Sequence, residues 1–165
     1  MVPGILVLVI LVIFPILRTA AASEVSITGF SFVQDTARGP WAIEARHAVF
    51  QEGEGVVLDA VSARMVTGDG EELSVVSDKG HYDPEKLVLD LEGHVLARHE
   101  GGFILKAGKV TWDGTGATLR IREEVEMAGQ ALRVNGESAL YEIDGQAFLF
   151  TGGVQTILDL KGETP

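Results

Sequence analysis

The sequence predicts an all-β domain built from two antiparallel sheets that face each other, preceded by one apolar segment. Three observations lead there. A unit of roughly 30 residues recurs along the chain; turn-forming residues follow the same landmark in each copy; and the apolar residues between the turns alternate as they do in a strand with one wet face.

The landmarks are Phe50, Tyr82, Trp112 and Tyr141, spaced by 32, 30 and 29 residues. Five positions before each stands a small residue: Ala45, Ser77, Ala107 and Gly136. After each comes turn chemistry, in "QEGEG", "DPEK", "DGTG" and "EIDG". Asp-Gly and Asp-Pro are strong turn signals, because Gly tolerates a positive φ and Pro presets a negative one. Each copy therefore reads strand, turn, strand. A valine stands thirteen positions after the aromatic in three copies (Val95, Val125 and Val154) and eleven after it in the first (Val61). Units of this length cannot bury an apolar face alone and must stack on their neighbours.

Taken in order, the first element is "MVPGILVLVILVIFPILRTAAA". Val2 to Leu17 is free of charge and rises roughly 24 Å as a helix; carried on to Ala22 it reaches roughly 31 Å, enough for a hydrocarbon core of about 30 Å. A membrane anchor over 1–22 is the expectation, with 23–165 as the exported domain. A signal segment cleaved near Ala20 and Ala22 is the alternative. Either sends the remainder across a membrane.

The strands follow. Ahead of Phe50 the inward set is Trp41, Ile43 and Ala45; ahead of Tyr82 it is Leu73 and Val75. In "LVLDLEGHV" Leu87, Leu89, Leu91 and Val95 share one face, with Asp90, Glu92 and His94 on the other. Phe103, Leu105 and Ala107 come next, then Leu119, Ile121, Val125 and Met127, then Leu132 and Val134. The last strand offers Phe148, Phe150, Val154 and Thr156. About eight or nine strands result. Long strands joined by tight turns favour hairpins over a parallel β-helix, the other architecture that repeats.

Composition narrows the function. Thirteen Lys and Arg stand against 24 Asp and Glu, a formal net charge of −11, and leaving out the leading segment removes one base, Arg18, and no acid. Such a surface repels nucleic acid. There are no cysteines, so sheet and core carry the stability without disulfides.

Catalytic constellations are sparse. "GESAL" (136–140) begins like a nucleophile elbow but lacks the closing glycine and the helix, which leaves Ser138 a strand residue. His94 and His99, five apart on a regular strand, point to opposite faces and cannot share a metal. His47 and His81 fall at different repeat positions, and all four histidines read as solvated surface groups. Glu71-Glu72 and Glu123-Glu124 read as wet turn or strand-face charges, and "GDGEE" is too short for a calcium loop. The expectation is a protein that is not an enzyme and needs no cofactor or metal. Its inner face is either a sealed core or a groove for something apolar.

"LDLEGHVLA" (89–97), preceded by "LSVVSDKGHYDPEK", resembles the second repeat of the LptC family, the membrane-anchored periplasmic component of lipopolysaccharide export. "GPWAIEARHAVF" (39–50) is similar to the family's first repeat. The resemblance spans roughly residues 25 to 158. It implies a β-jellyroll with an open, lipid-lined groove, held at the inner membrane with its main domain in the periplasm. It implies three partners: lipopolysaccharide, the inner-membrane ABC transporter that delivers it, and the periplasmic bridge protein LptA that receives it. The groove expected from the resemblance and the inward pattern comprises Trp41, Ile43, Phe50, Leu89, Leu91, Val95, Phe103, Leu105, Leu119, Ile121, Val125, Leu132, Phe148 and Phe150. Jellyrolls of this kind join edge to edge, and the last repeat strand has no later hairpin to cover it. The expected docking edge is Gly153, Val154, Gln155, Thr156, Ile157 and Leu158. A soluble LptA-like bridge protein and a closed-core structural or adhesive repeat protein are the alternatives.

Overall fold

The computed structural model describes residues 25–36, 39–51, 53–67, 70–115 and 117–158. The anchor expected over 1–22 lies outside the described residues. Ten strands run in chain order: β1 Val25–Thr36, β2 Gly39–Gln51, β3 Gly55–Val66, β4 Glu72–Asp83, β5 Val88–His99, β6 Ile104–Asp113, β7 Thr118–Ala128, β8 Leu132–Glu142, β9 Ala147–Thr151 and β10 Gln155–Leu158. From β1 to β8 each pairs antiparallel with the next, and β9 and β10 lie end to end along the free side of β8. All ten belong to one hydrogen-bonded sheet, so the two sheets expected from the sequence are two halves of a single meander.

The turns form where their chemistry places them. Asp83 Oδ1 accepts the backbone N–H groups of Glu85 and Lys86, both at 3.0 Å, closing the β4–β5 turn. Asp113 Oδ1 does the same for Thr115, from its N–H at 3.0 Å and its hydroxyl at 2.7 Å. Short polar side chains that bond two or three residues ahead favour a turn over an extended chain.

Halfway along the sheet, every other strand is interrupted. Left-handed residues stand at Gly29 in β1, Ala60 in β3, Gly93 and His94 in β5, Glu123 and Glu124 in β7, and Gly152 and Gly153 between β9 and β10. At three of these sites the strand carries one residue more than its neighbours. Val76 pairs with Leu96 and Lys79 with Glu92; Arg122 pairs with Ser138 and Val125 with Gly136; Ser138 pairs with Thr151 and Asn135 with Gln155. Each extra residue is a β-bulge, which bends a strand and increases its twist. The bulges align into a crease running across the sheet.

The sheet folds along that crease. Trp41, near the start of β2, meets Trp112, near the end of β6, with ring centroids 4.2 Å apart, and Tyr82, near the end of β4, at 5.5 Å. Phe103, just ahead of β6, meets Tyr141 at 5.8 Å and Phe148 at 5.1 Å. Opposite ends of non-neighbouring strands thus touch, so each long strand gives one half to each of two facing layers. The inward sets form the core between them: Trp41, Ile43, Ala45, Leu73, Val75, Leu89, Leu91, Val95, Leu105, Ala107, Leu119, Ile121, Val125, Met127 and Val134 are all buried.

Three expectations need correction. Val154 and Thr156, expected on the buried face, are exposed, Val154 at 47%, because Thr156 lies in the outer strand β10 and Val154 directly precedes it. Leu87 is a turn residue at φ +55°, ahead of β5 rather than within it. His99 is not a surface group. It is 8% exposed and stacks on Phe103 at 4.8 Å; its Nδ1 accepts the Gly101 N–H at 3.0 Å, and its Nε2 lies 3.3 Å from the Thr67 hydroxyl.

On the outer face, beside the crease, register partners of alternating charge cross four strands: Asp59, Lys79, Glu92 and Lys109. Lys109 donates to Glu92, which lowers the Glu92 pKa and raises that of Lys109. His94 Nδ1 lies 2.7 Å from Asp78 Oδ2, and this contact raises the His94 pKa.

Candidate functional site

The interior between the layers is tight at its centre. A pocket there, bounded by Leu73, Val75, Leu105, Leu119, Ile121 and Phe148 among others, has room for about one water molecule. Nine of the fourteen expected groove residues (Trp41, Ile43, Leu89, Leu91, Val95, Leu105, Leu119, Ile121 and Val125) are fully packed into this core. Trp112 joins them with an indole N–H that is buried and has no hydrogen-bond partner among the described residues.

The remaining five lie nearer the edges of the sheet. Phe50 stands at the β1 edge. Phe103, Leu132, Phe148 and Phe150 stand toward the β9–β10 edge, where each is partly buried against the core. Phe148 stacks on Tyr141 at 4.3 Å and on Phe150 at 5.8 Å, so the C-terminal cluster is one continuous aromatic surface.

At the β1 edge the layers part. A cleft of about 550 Å³ opens between Phe30 and Phe32 of one layer and Phe50, Val56 and Tyr82 of the other, closed at one end by the β2–β3 and β4–β5 turns. Phe32 touches Tyr82 at 5.4 Å and Trp41 at 6.0 Å, which ties the cleft wall to the sealed centre. Burial raises the Tyr82 pKa, helped by the neighbouring Asp83 carboxylate, so the phenol stays neutral. Glu54, Asp83, Glu85 and Lys86 form the rim. The Asp83–Lys86 ion pair, at 2.6 Å, lowers the Asp83 pKa and raises that of Lys86.

Phe30 and Phe32 were missing from the sequence-based set, although "GFSFV" alternates as an inward-facing strand should. The repeat landmarks start at Phe50, and β1 carries none of them.

Both outer strands lack a second neighbour among the described residues: β1 pairs with β2 alone, and β9 and β10 with β8 alone. Inner-face apolar side chains surface at both. Val25 and Ile27 pair with the inward Phe50 and Ala48 and are 53% and 40% exposed; Leu158 pairs with Leu132 and is 62% exposed. All six residues of the expected docking edge, Gly153 to Leu158, are solvent-exposed.

The fold as a whole has a counterpart among solved structures. The protein is similar to a crystal structure of LptH, the LptA homologous periplasmic component of the conserved lipopolysaccharide transport device from Pseudomonas aeruginosa, with a TM-score of 0.51 over 83% of this chain and 95% of that one. The fold is LptA-like. Identity over the match is 8%, so the likeness is one of fold. No protein-family profile matches the sequence, and no curated protein matches it either.

Proposed function

We propose that the protein is an LptC-type component of lipopolysaccharide export. In this reading residues 1–22 hold it at the inner membrane and the LptA-like jellyroll stands in the periplasm. It accepts lipopolysaccharide from the ABC transporter and passes it to the bridge protein LptA. The work is carriage, with no catalytic step. The observation that carries the reading is an apolar inner face that surfaces at both unpaired edges, which gives acyl chains a way in at one edge and out at the other. An apolar chain moved from water onto such a surface gains about 25 cal/mol per Å² buried. The unpaired edges supply N–H and C=O groups for strand addition by neighbours of the same fold.

One observation favours a second reading, a closed-core structural or adhesive protein: the centre of the trough is packed. Photo-crosslinking separates the two. With a photoreactive residue at Phe50, Phe148 or Phe150 the full-length protein should capture lipopolysaccharide, and with one at Asp90 or Arg120 on the outer face it should not. Equal labelling of the two sets would remove the inner face as a lipid path. Mass spectrometry of the mature N-terminus distinguishes an anchored protein from an LptA-like one, since a chain beginning at Ser23 or Glu24 has no anchor.

A further inference from the structure

We propose that the cleft at the β1 edge is a binding site for a single-chain amphiphile with a cationic head group, of the alkylammonium class. The site combines two features that select such a ligand. Its walls are apolar, made by Phe30, Phe32, Phe50, Val56 and Tyr82, and its volume of about 550 Å³ falls in the range of small-molecule pockets. Its rim is acidic. Glu54, Asp83 and Glu85 carry three carboxylates against one ammonium, Lys86, and that ammonium is already bound to Asp83 at 2.6 Å.

The backbone fixes this rim. Asp83 Oδ1 accepts the N–H groups of both Glu85 and Lys86, which presents the turn's charges as a set, and the Glu54 carbonyl lies 2.5 Å from His81 Nε2. An alkyl chain laid along the aromatic wall brings its head to these carboxylates. There an ammonium is attracted, and it also gains from the faces of nearby aromatic rings. A carboxylate or phosphate head meets repulsion from the rim and from a domain of strongly negative net charge. The cleft shares Phe30, Phe32 and Phe50 with the proposed lipid path, so the inference concerns which head group its rim selects; head-group preference in the displacement assay tests it, whereas lipopolysaccharide crosslinking tests carriage.

The test uses the full chain in phosphatidylcholine nanodiscs and a long-chain alkylamine bearing a diazirine near its methyl end. The label should map to peptides containing Phe30, Phe32, Phe50 or Val56. Octylamine should displace it about tenfold better than octanoate, with octanol between them, as expected for two exposed unpaired carboxylates acting together. Replacing both rim acids, Glu54→Lys with Glu85→Lys, should reverse the order. These are exposed turn positions, and circular dichroism checks that the fold is kept; Glu54→Gln alone should cut the preference to about threefold where the double variant fails to fold. Equal displacement by octanoate overturns the proposal. So does labelling of other strands, or an unlabelled cleft with the label on residues 1–24, the result if the chain's own leading segment fills the site.

Discussion

The repeat is written most sharply in backbone conformation. Five positions after each landmark aromatic stands a left-handed residue: Gly55 at φ +95°, Leu87 at +55°, Ala117 at +47° and Gln146 at +48°. Eleven and twelve positions after it, in the last three copies, stand the paired left-handed residues of the crease, and the valine at thirteen comes directly after them. That valine spacing is a record of the bulge. The first copy has a single left-handed residue at its crease, Ala60, and keeps its register; that and a stretch one residue shorter ahead of the crease bring Val61 two positions early. Glycine fills both crease positions in one copy, whereas β7 uses Glu123 and Glu124 at +67° and +57°, a conformation that costs an ordinary L-residue about 1–2 kcal/mol. Glycine relieves the strain and returns part of the gain as chain entropy, roughly 0.5–1 kcal/mol per residue. Glu123→Gly with Glu124→Gly should therefore raise stability by about 1 kcal/mol in urea unfolding. A lower midpoint than the parent would show that these exposed glutamates are not strained. Gly152→Ala should destabilise more than Gly153→Ala. Both are left-handed, but a Cβ at 152 falls 2.7 Å from the Glu137 Cβ while one at 153 meets nothing.

At the scale of strands, the sequence shows which residues face inward but not how one sheet holds them there. Ala45 and Phe50 are five apart, as are Ala107 and Trp112, and an odd separation puts a pair on opposite faces of a regular strand. Both members are nevertheless on the inner side, because each strand breaks its alternation at the crease. Two independent sheets would account for the same pattern, and that is the expectation the sequence produced. The β1 aromatics, Phe30 and Phe32, lie outside the repeat because no turn landmark precedes them. Val154 was misplaced for a different reason: alternation assigns a face, and only the neighbouring chain decides whether that face is covered. The last strand is open in both senses. β10 is four exposed residues held by β8 alone, opposite Asn135, Val134, Arg133 and Leu132. On a strand successive N–H groups point to opposite sides, so of Thr156→Pro and Ile157→Pro one removes a donor to β8 and the other an outward donor. Both variants should fold, by circular dichroism, since β10 covers none of the core. One of them should lose affinity for LptA in a pull-down or by interferometry. Unchanged binding by both would rule out this edge as the junction.

For the whole molecule, the packed centre bears on the proposed carriage of an acyl chain. Facing sheets pack about 10 Å apart, with their side chains interdigitated. Here the pocket at the centre of the trough has room for about one water molecule, too little for an acyl chain. An acyl chain that traverses the trough must therefore part the layers, by roughly the 4 Å that separates carbon atoms in contact. The architecture suits such a motion. The layers are joined through the crease, where hydrogen bonding is interrupted at successive bulges, and are held together elsewhere by side-chain contacts such as Trp41 on Trp112. Opening exposes apolar surface, and the incoming chain covers it again, so the net change is small even though each part is large. Spin labels at Lys106 and Arg120 report the motion, because both are exposed on the outer face, one before the crease in β6 and the other on the far half of β7. Loading with lipopolysaccharide should lengthen the distance between them by about 4 Å in a pulsed dipolar measurement. A distance that stays fixed while lipid is bound confines the acyl chains to the two edges. Transfer would then run along Phe30, Phe32 and Phe50 on one side and Phe148 and Phe150 on the other, with Trp41 and Trp112 as a permanent wall between them.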